Sequence, residues 1–214
     1  MYPMPKKSAV PEAPTQPPGR PRSFDSDAAL RVAIDVFWQR GFEATSLDDL
    51  GRATGLSRSS LYACFGSKHA LLMAAVRLYA DERFAALSEQ AASHPDPRAA
   101  VQRMLATIAD VDGGTRGCLF VNAVAELAPA DDELVAFARV HTARVGALMT
   151  ATLVRAGCSR PQAAPCAAAM LALAMGVTTL RKTGVSASAL SNLMAQAERL
   201  LPLKPLTPKP RRRA

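Results

Sequence analysis

Apolar residues recur every three or four positions along most of this chain, which is the spacing of one face of an α-helix. The first such stretch begins at Asp25 or Ser26 as N-cap and ends at Gly41, and its apolar face holds Leu30, Ala33, Ile34, Phe37 and Trp38. Alternating runs and clusters of β-branched residues, which are typical of strands, are few. The pattern predicts an all-α fold.

Three helix starts follow in quick succession. Ser46, Ser57 and Ser67 each stand directly before a stretch of helical periodicity, and each is predicted to be an N-cap. The second helix should end before Gly55 and the third near Gly66, while the fourth continues for several turns. Two short helices joined by a glycine-containing turn are typical of a helix-turn-helix unit, here at about residues 46–65.

Five further helices are predicted beyond the Pro-rich break at residues 94–97. Their limits are at about 97–110, 117–128, 132–156, 160–182 and 186–201, with Gly, Pro or Asp between them. A chain of 214 residues with 49% apolar residues is large enough to build a small domain and a larger one. The sequence therefore predicts a short N-terminal helical unit followed by a larger helical domain.

One predicted helix contains an uncharged stretch that is nearly long enough to span a bilayer, from Pro161 to Leu180. Most of it is alanine, which is only weakly apolar. Small residues at Ala168, Ala172 and Gly176 would let another helix approach closely. We expect a buried helix in a subunit interface and no membrane contact.

The start of the third helix has side chains suited to DNA. In a helix-turn-helix the second helix lies in the major groove, with its first residues at base edges. Arg58 suits bidentate pairing with guanine or phosphate, Ser59 and Ser60 are short and polar, and Tyr62 offers a hydroxyl. The same residues also fit an ordinary solvated helix start, so spacing alone leaves both interpretations open.

The segment from Arg20 to Tyr79 carries a dense, ordered set of characteristic residues. They are Val36-Phe37, Gly41-Phe42, Thr45-Ser46, Asp49-Leu50, Gly55-Leu56-Ser57, Leu61-Tyr62, Phe65 and Ser67-Lys68. With these residues the segment closely resembles the DNA-binding domain of the tetracycline-repressor (TetR) family. The sequence departs from that family's usual pattern at Cys64, where many members have His or Tyr, and at Gly51, where many have Ala.

The resemblance implies roles for the matching positions. Residues expected to contact phosphate are Thr45, Ser46, Tyr62 and Lys68. Residues expected to face base edges are Arg58, Ser59 and Ser60, with Arg58 the first candidate for reading sequence. Arg20 and Arg22, before the first helix, are expected in the adjacent minor groove or along phosphates.

Past residue 80 the resemblance continues only as architecture, and it implies an effector-binding and dimerisation domain whose last two helices pair with a second subunit. Candidates for binding an unknown small-molecule effector are Met104, Cys118, Phe120, Asn122, Glu126, Phe137 and His141. The apolar members fit a plain core equally well. Cys118, beside Arg116 at a predicted helix start, fits either a reactive thiol sensor or a small buried residue.

The net charge of +8 lies on two Pro-rich ends, with +3 in residues 1–22 and +5 in residues 204–214. We predict four regions: a flexible basic arm at 1–22, the DNA-binding domain at 23–68, the effector and dimerisation domain at 69–202, and a basic flexible tail at 203–214. Contact of the C-terminal tail with DNA is left open.

Chemistry other than DNA binding has little support in the residues. The cysteines at 64, 118, 158 and 166 form no CxxC pair and have no histidine at ligand spacing, so no metal, cofactor or disulfide is expected and the protein is expected in the cytoplasm. No GxSxG or HExxH motif indicates an enzyme. We predict a homodimeric regulator of a palindromic operator, a repressor released by a small molecule; the alternatives are a ligand-independent architectural DNA binder and, with least support, a helical enzyme.

Overall fold

The computed structural model describes residues 26–110 and 113–199, and within them it contains helices and no strand. The helices are α1 Ser26–Arg40, α2 Leu47–Thr54, α3 Arg58–Phe65, α4 Lys68–Ser93, α5 Pro97–Ala109, α6 Leu119–Leu127, α7 Asp132–Arg155, α8 Arg160–Lys182 and α9 Ala187–Arg199, with a 3-10 turn at Gly114–Arg116. The all-α prediction is confirmed. The predictions for Arg20, Arg22 and the two basic ends lie outside the described residues.

The three predicted serine caps are present. The hydroxyls of Ser46, Ser57 and Ser67 each accept a hydrogen bond from the backbone N–H three residues later. At α2 the carboxylate of Asp49 also accepts from the backbone N–H of Ser46, which completes a capping box. These bonds from Ser46, together with one from Arg52, hold the pKa of Asp49 well below its usual value. Local sequence therefore sets where α2, α3 and α4 begin.

Gly51 is required by the tight turn between α2 and α3. A Cβ atom at this position would lie 2.8 Å from the backbone oxygen of Leu56, which is closer than real Cβ contacts allow. The turn continues through Gly55, which caps α2 in the left-handed conformation at φ 73°. The departure from alanine at Gly51 thus gives α2 and the turn their close packing.

Buried side chains form two cores. One lies among α4, α5, α7, α8 and α9, around the fully buried Met104, Met149 and Leu153. The other joins α1, α2, α3 and the first half of α4 to α6 and the start of α7, around Phe37 and Leu50. The DNA-binding part therefore shares its core with α6 and is not packed on its own.

Of the helices in the described ranges, α8 is long and apolar enough to cross a membrane by length and composition. One of its faces is buried against α5, α7 and α9. Its opposite face is exposed and carries small or apolar residues one turn apart, at Ala164, Ala168, Ala172, Gly176 and Leu180. A buried helix with one uncovered apolar stripe fits a core helix that meets another protein surface.

Candidate DNA-binding site and effector cavity

Apart from the buried Leu61, residues 58–62 of α3 form an exposed polar surface. Arg58 and Ser59 are exposed, Ser60 is half-buried, and 51% of Tyr62 is exposed despite its large ring. The hydroxyl of Ser57 lies 2.8 Å from that of Ser59 and 2.9 Å from that of Ser60. The structure thus brings together four of the residues that the sequence assigned to DNA.

Arg58 is held in place by a residue that the sequence analysis did not single out as functional. Its guanidinium donates through Nε and Nη2 to the two carboxylate oxygens of Asp48 on α2. Both side chains remain largely exposed, at 65% for Arg58 and 55% for Asp48. The hydrogen bond from Arg58 lowers the pKa of Asp48, and the same bond raises the pKa of Arg58. The pair links the two helices of the unit at its exposed surface.

Thr45 and Lys68 support the turn between α1 and α2. Thr45 is only 1% exposed, and its hydroxyl donates to the backbone oxygen of Gly41. The ammonium of Lys68 donates to the backbone oxygens of Phe42 and Thr45, each at 3.0 Å, and lies 4.1 Å from the centre of the Phe42 ring. The Thr45 hydroxyl is therefore bonded within the turn, and the phosphate contact implied for Thr45 stays a prediction. Lys68 is half-buried, and two of its three N–H groups are already used.

A small cavity lies in the second part of the chain, among α4, α5, α6, α7 and α8. Its volume is about 70 Å³, and its lining includes three of the predicted effector residues, Cys118, Phe120 and His141. The hydroxyl of Tyr79 donates to the sulfur of Cys118 at 3.6 Å. Burial raises the pKa of Tyr79 and lowers that of His141. The cavity is thus mostly apolar, with a few groups capable of hydrogen bonding.

The other four predicted effector residues do not line this cavity. Two of them, Met104 and Phe137, lie close to it in the packing. Met104 is fully buried in the core among α5, α7 and α8, where it packs as a core residue. Phe137 touches the lining without belonging to it, since its ring stacks on His141 at 5.8 Å and meets Phe120 edge-on at 6.2 Å. Helical periodicity indicates that the rings of Phe120, Phe137 and His141 face inward. It does not tell which of these rings line the cavity and which pack behind the lining.

The environment of Cys118 differs from the one the sequence suggested. Arg116 was expected to favour the thiolate, but its guanidinium pairs with Asp35 at 3.1 Å and lies 4.3 Å from the centre of the Trp38 ring. Its charge is therefore directed towards α1. Cys118 is half-buried, with the Tyr79 hydroxyl as its hydrogen-bond partner.

Comparison with known proteins identifies the family. Residues 29–75 match the family model described as bacterial regulatory proteins, tetR family. Residues 29–75 therefore carry a TetR-family DNA-binding domain. This confirms the resemblance seen in the sequence, and the matched residues contain α2, the turn and α3 with their caps. Members of this family are regulators and not enzymes.

Two curated relatives show how far the sequence similarity extends. The HTH-type transcriptional repressor ComR of Escherichia coli (strain K12) is 54% identical over 71 residues, which are 33% of each chain. The uncharacterized HTH-type transcriptional regulator YezE of Bacillus subtilis (strain 168) is 32% identical over 123 residues, 56% of this chain and 63% of that protein. The chain thus matches between a third and somewhat under two thirds of these relatives.

Solved structures extend the similarity to the whole fold. A cysteine mutant of the TetR family transcriptional regulator CifR, complexed with 26bp double-strand operator DNA, has a TM-score of 0.76 at 28% identity, covering 86% of this chain and 100% of that one. The reduced form of NemR from Escherichia coli has a TM-score of 0.72 at 21% identity, covering 84% and 98%. The second match shows the shared fold alone.

In this fold, one residue predicted for the effector joins the two parts of the chain. The carboxylate of Glu126 on α6 accepts the backbone N–H groups of Phe42 at 3.0 Å and Glu43 at 2.8 Å, in the turn after α1. Gly41 makes room for it, because a Cβ there would lie 2.8 Å from a carboxylate oxygen. Asn122 makes its hydrogen bonds within the second part of the chain. Its amide nitrogen donates to the backbone oxygen of Arg116, and its amide oxygen accepts from the ammonium of Lys182. Asn122 and Glu126 also line a second, more open pocket beside Trp38 and Lys182. Effector binding by these two residues stays a prediction.

Replacing Glu126 with alanine should release the turn after α1. Each lost hydrogen bond is worth about 1 kcal/mol, so we expect amide hydrogen exchange at Phe42 and Glu43 to become several-fold faster, measured by NMR or mass spectrometry. Glu89→Ala, which removes an exposed carboxylate from α4, is the matched control and should leave these amides unchanged. Unchanged exchange in Glu126→Ala would show that the turn is held by its own contacts.

Proposed function

We propose that this chain is a sequence-specific DNA-binding transcriptional regulator, and that it represses genes by occupying an operator. The observation that carries the proposal is the exposed N-terminal part of α3, where Arg58, Ser59, Ser60 and Tyr62 lie on a capped helix-turn-helix. Such a helix start presents bidentate and short polar donors to base edges in the major groove. ComR, which shares this segment, is named as a repressor, and the CifR structure contains operator DNA.

The uncovered face of α8 supports action as a homodimer. Its stripe of small residues allows close helix contact, and the neighbouring Val185 and Leu193 are also exposed. Pairing of α8 and α9 with the same helices of a second copy would bury this surface in a four-helix arrangement. Two copies then present two recognition helices about 34–36 Å apart, which suits a palindromic operator. The expected location of the protein is the cytoplasm.

Release by a small, largely apolar molecule is the expected control. Two of the helices that line the cavity, α4 and α6, also contact the DNA-binding part. Lys68 at the start of α4 and Glu126 on α6 both bind the turn after α1. A ligand that enlarges the cavity would move these helices against their contacts with α1. The coupling between effector and DNA is expected to be about 1–3 kcal/mol.

Binding of the purified protein to the promoter DNA beside its own coding region tests the proposal. At two salt concentrations, a regulator should prefer the promoter over a shuffled sequence of equal length, and the preference should survive the higher salt. Equal, salt-sensitive binding to both duplexes would instead identify an architectural DNA binder. Absence of binding to both would contradict a DNA-binding function.

Arg58→Ala should lower the operator affinity more than the affinity for shuffled DNA. The loss of one bidentate base contact corresponds to about 1–3 kcal/mol, roughly 5- to 150-fold in affinity. Fluorescence anisotropy with both duplexes measures it. Arg31→Ala removes an arginine of similar exposure from α1, at 62% against 65%, and should not change the ratio between the two DNAs. Equal losses on both duplexes would make Arg58 a phosphate contact.

A further inference from the structure

Asp48 occupies an unexpected position for a carboxylate. It lies in the first turn of α2, faces the exposed start of α3, and is more than half exposed beside the residues proposed to meet DNA. A negative charge there repels phosphates, so by itself it would weaken binding to any DNA. A regulator that keeps this carboxylate at its DNA surface must gain from it in another way.

The geometry of the ion pair leaves one edge of the Arg58 guanidinium without a partner among the described residues. Arg58 uses Nε and Nη2, which form one edge of the planar guanidinium, to bind both oxygens of Asp48. The other edge, with parallel N–H groups on Nη1 and Nη2, has no partner among the hydrogen bonds of the described residues. Two parallel donors at that spacing match the O6 and N7 acceptors of guanine.

We propose that Asp48 is a positioning residue for DNA reading: it fixes the guanidinium of Arg58 so that the free edge faces a guanine in the major groove. The inference rests on the proposed function. Because Arg58 is largely exposed, without Asp48 its long side chain would sample many rotamers, including those that bind phosphate. Holding the side chain in one orientation reduces the ordering cost for the guanine contact and blocks the sequence-independent one.

The position of Asp48 in its helix separates this role from a structural one. The N-cap bonds of α2 are made by Ser46 and Asp49, not by Asp48. Loss of the Asp48 carboxylate therefore leaves the capping box intact, and α2 should keep its fold.

The test uses the full-length protein and duplexes that the wild type selects from a random-sequence pool, with shuffled duplexes for comparison. In Asp48→Ala, the ratio of selected to shuffled affinity should fall about tenfold, which corresponds to one good base contact. Binding to shuffled DNA should stay equal or strengthen, because a negative charge has been removed. Asp81→Ala is the matched control: it removes a carboxylate of similar exposure, 61%, from an ion pair with Arg144 on α7.

A double-variant cycle identifies the mechanism. If Asp48 acts through Arg58, then Asp48→Ala should lower the ratio in the wild type but leave it unchanged in an Arg58→Ala background. Asp48→Asn, which keeps the shape of the side chain, should fall between the wild type and Asp48→Ala, and circular dichroism should show native helicity in all variants. An equal fall of the ratio in both backgrounds would overturn the proposal.

Two other results would overturn the positioning role of Asp48. A third result would contradict the proposed function itself. A ratio unchanged in Asp48→Ala, or one that rises because Asp48 merely blocked Arg58, contradicts a positioning role. Failure of the wild type to enrich any sequence from the pool would contradict sequence-specific binding itself. The two failures are therefore distinguishable from the wild-type data alone.

Discussion

Phe37→Ala should lower the free energy of unfolding by about 3–5 kcal/mol, because it removes a fully enclosed ring and leaves a cavity. Phe37 is 2% exposed and lies in the core that joins α1, α2, α3 and α4 to α6. Trp38 is the chain's single tryptophan, and its Nε1 donates to the backbone oxygen of Gly117 across the same junction. Urea unfolding followed by Trp38 fluorescence therefore reports on the junction, while circular dichroism reports on all helices.

The two signals should shift together in Phe37→Ala because the core is shared. Val140→Ala serves as control, since Val140 is 68% exposed and its truncation should change stability by less than about 0.5 kcal/mol. A shift of the tryptophan signal without a shift of the helical signal would mean that the DNA-binding part unfolds independently. That result would contradict the coupling of α6 to the turn after α1.

Asp110→Asn should cost about 3 kcal/mol of stability, because it leaves a buried arginine without its counter-charge. Arg181 on α8 is 3% exposed, pairs with Asp110 at 3.0 Å, and donates to the backbone oxygens of Ala109 and Gly117. This loss of stability is at the lower end of the range for a broken buried ion pair, because the guanidinium of Arg181 keeps its hydrogen bonds to the two backbone oxygens. Asparagine also tolerates the left-handed backbone at this position, φ 44°.

Thermal or urea unfolding of the variant measures this cost. Asp81→Asn is the control, because it breaks an exposed pair with Arg144 and should cost at most about 1 kcal/mol. In an Arg181→Met background, Asp110→Asn should become nearly neutral, since the buried charge is gone. Equal costs for Asp110→Asn and Asp81→Asn would show that the carbonyl groups alone satisfy Arg181.

The helices and the DNA-binding residues were largely predictable because the signals for them are local. The caps at Ser46, Ser57 and Ser67 depend on bonds between residues three apart, and a capped two-turn helix exposes its first polar residues wherever it packs. The family's characteristic residues lie in this same continuous segment, residues 29–75 in the matched model. Arg58 and Ser59 were therefore placed at an exposed helix start by sequence alone.

The effector site was less predictable because periodicity indicates only which face of a helix turns inward. Met104, Phe120 and His141 all lie on such faces, yet Met104 fills a core while the other two line a cavity. Polar residues on an apolar helix were equally ambiguous. Glu126 has the character of a ligand contact, but its partners are the N–H groups of Phe42 and Glu43, more than eighty residues away.

The sequence by itself determined an all-helical chain, the limits of its helices, the helix-turn-helix and the family. These are indicated by patterns of residues close together in sequence, which are present whatever the packing of the helices. Only the tertiary structure decided that Asp48 holds Arg58, that Thr45 is buried, and that Glu126 and Gly117 join α6 and its preceding turn to α1. The contacts of Asp48, Glu126 and Gly117 connect residues in different elements of the fold, and they exist only once the packing of helices brings them within hydrogen-bond distance. The burial of Thr45 likewise depends on that packing.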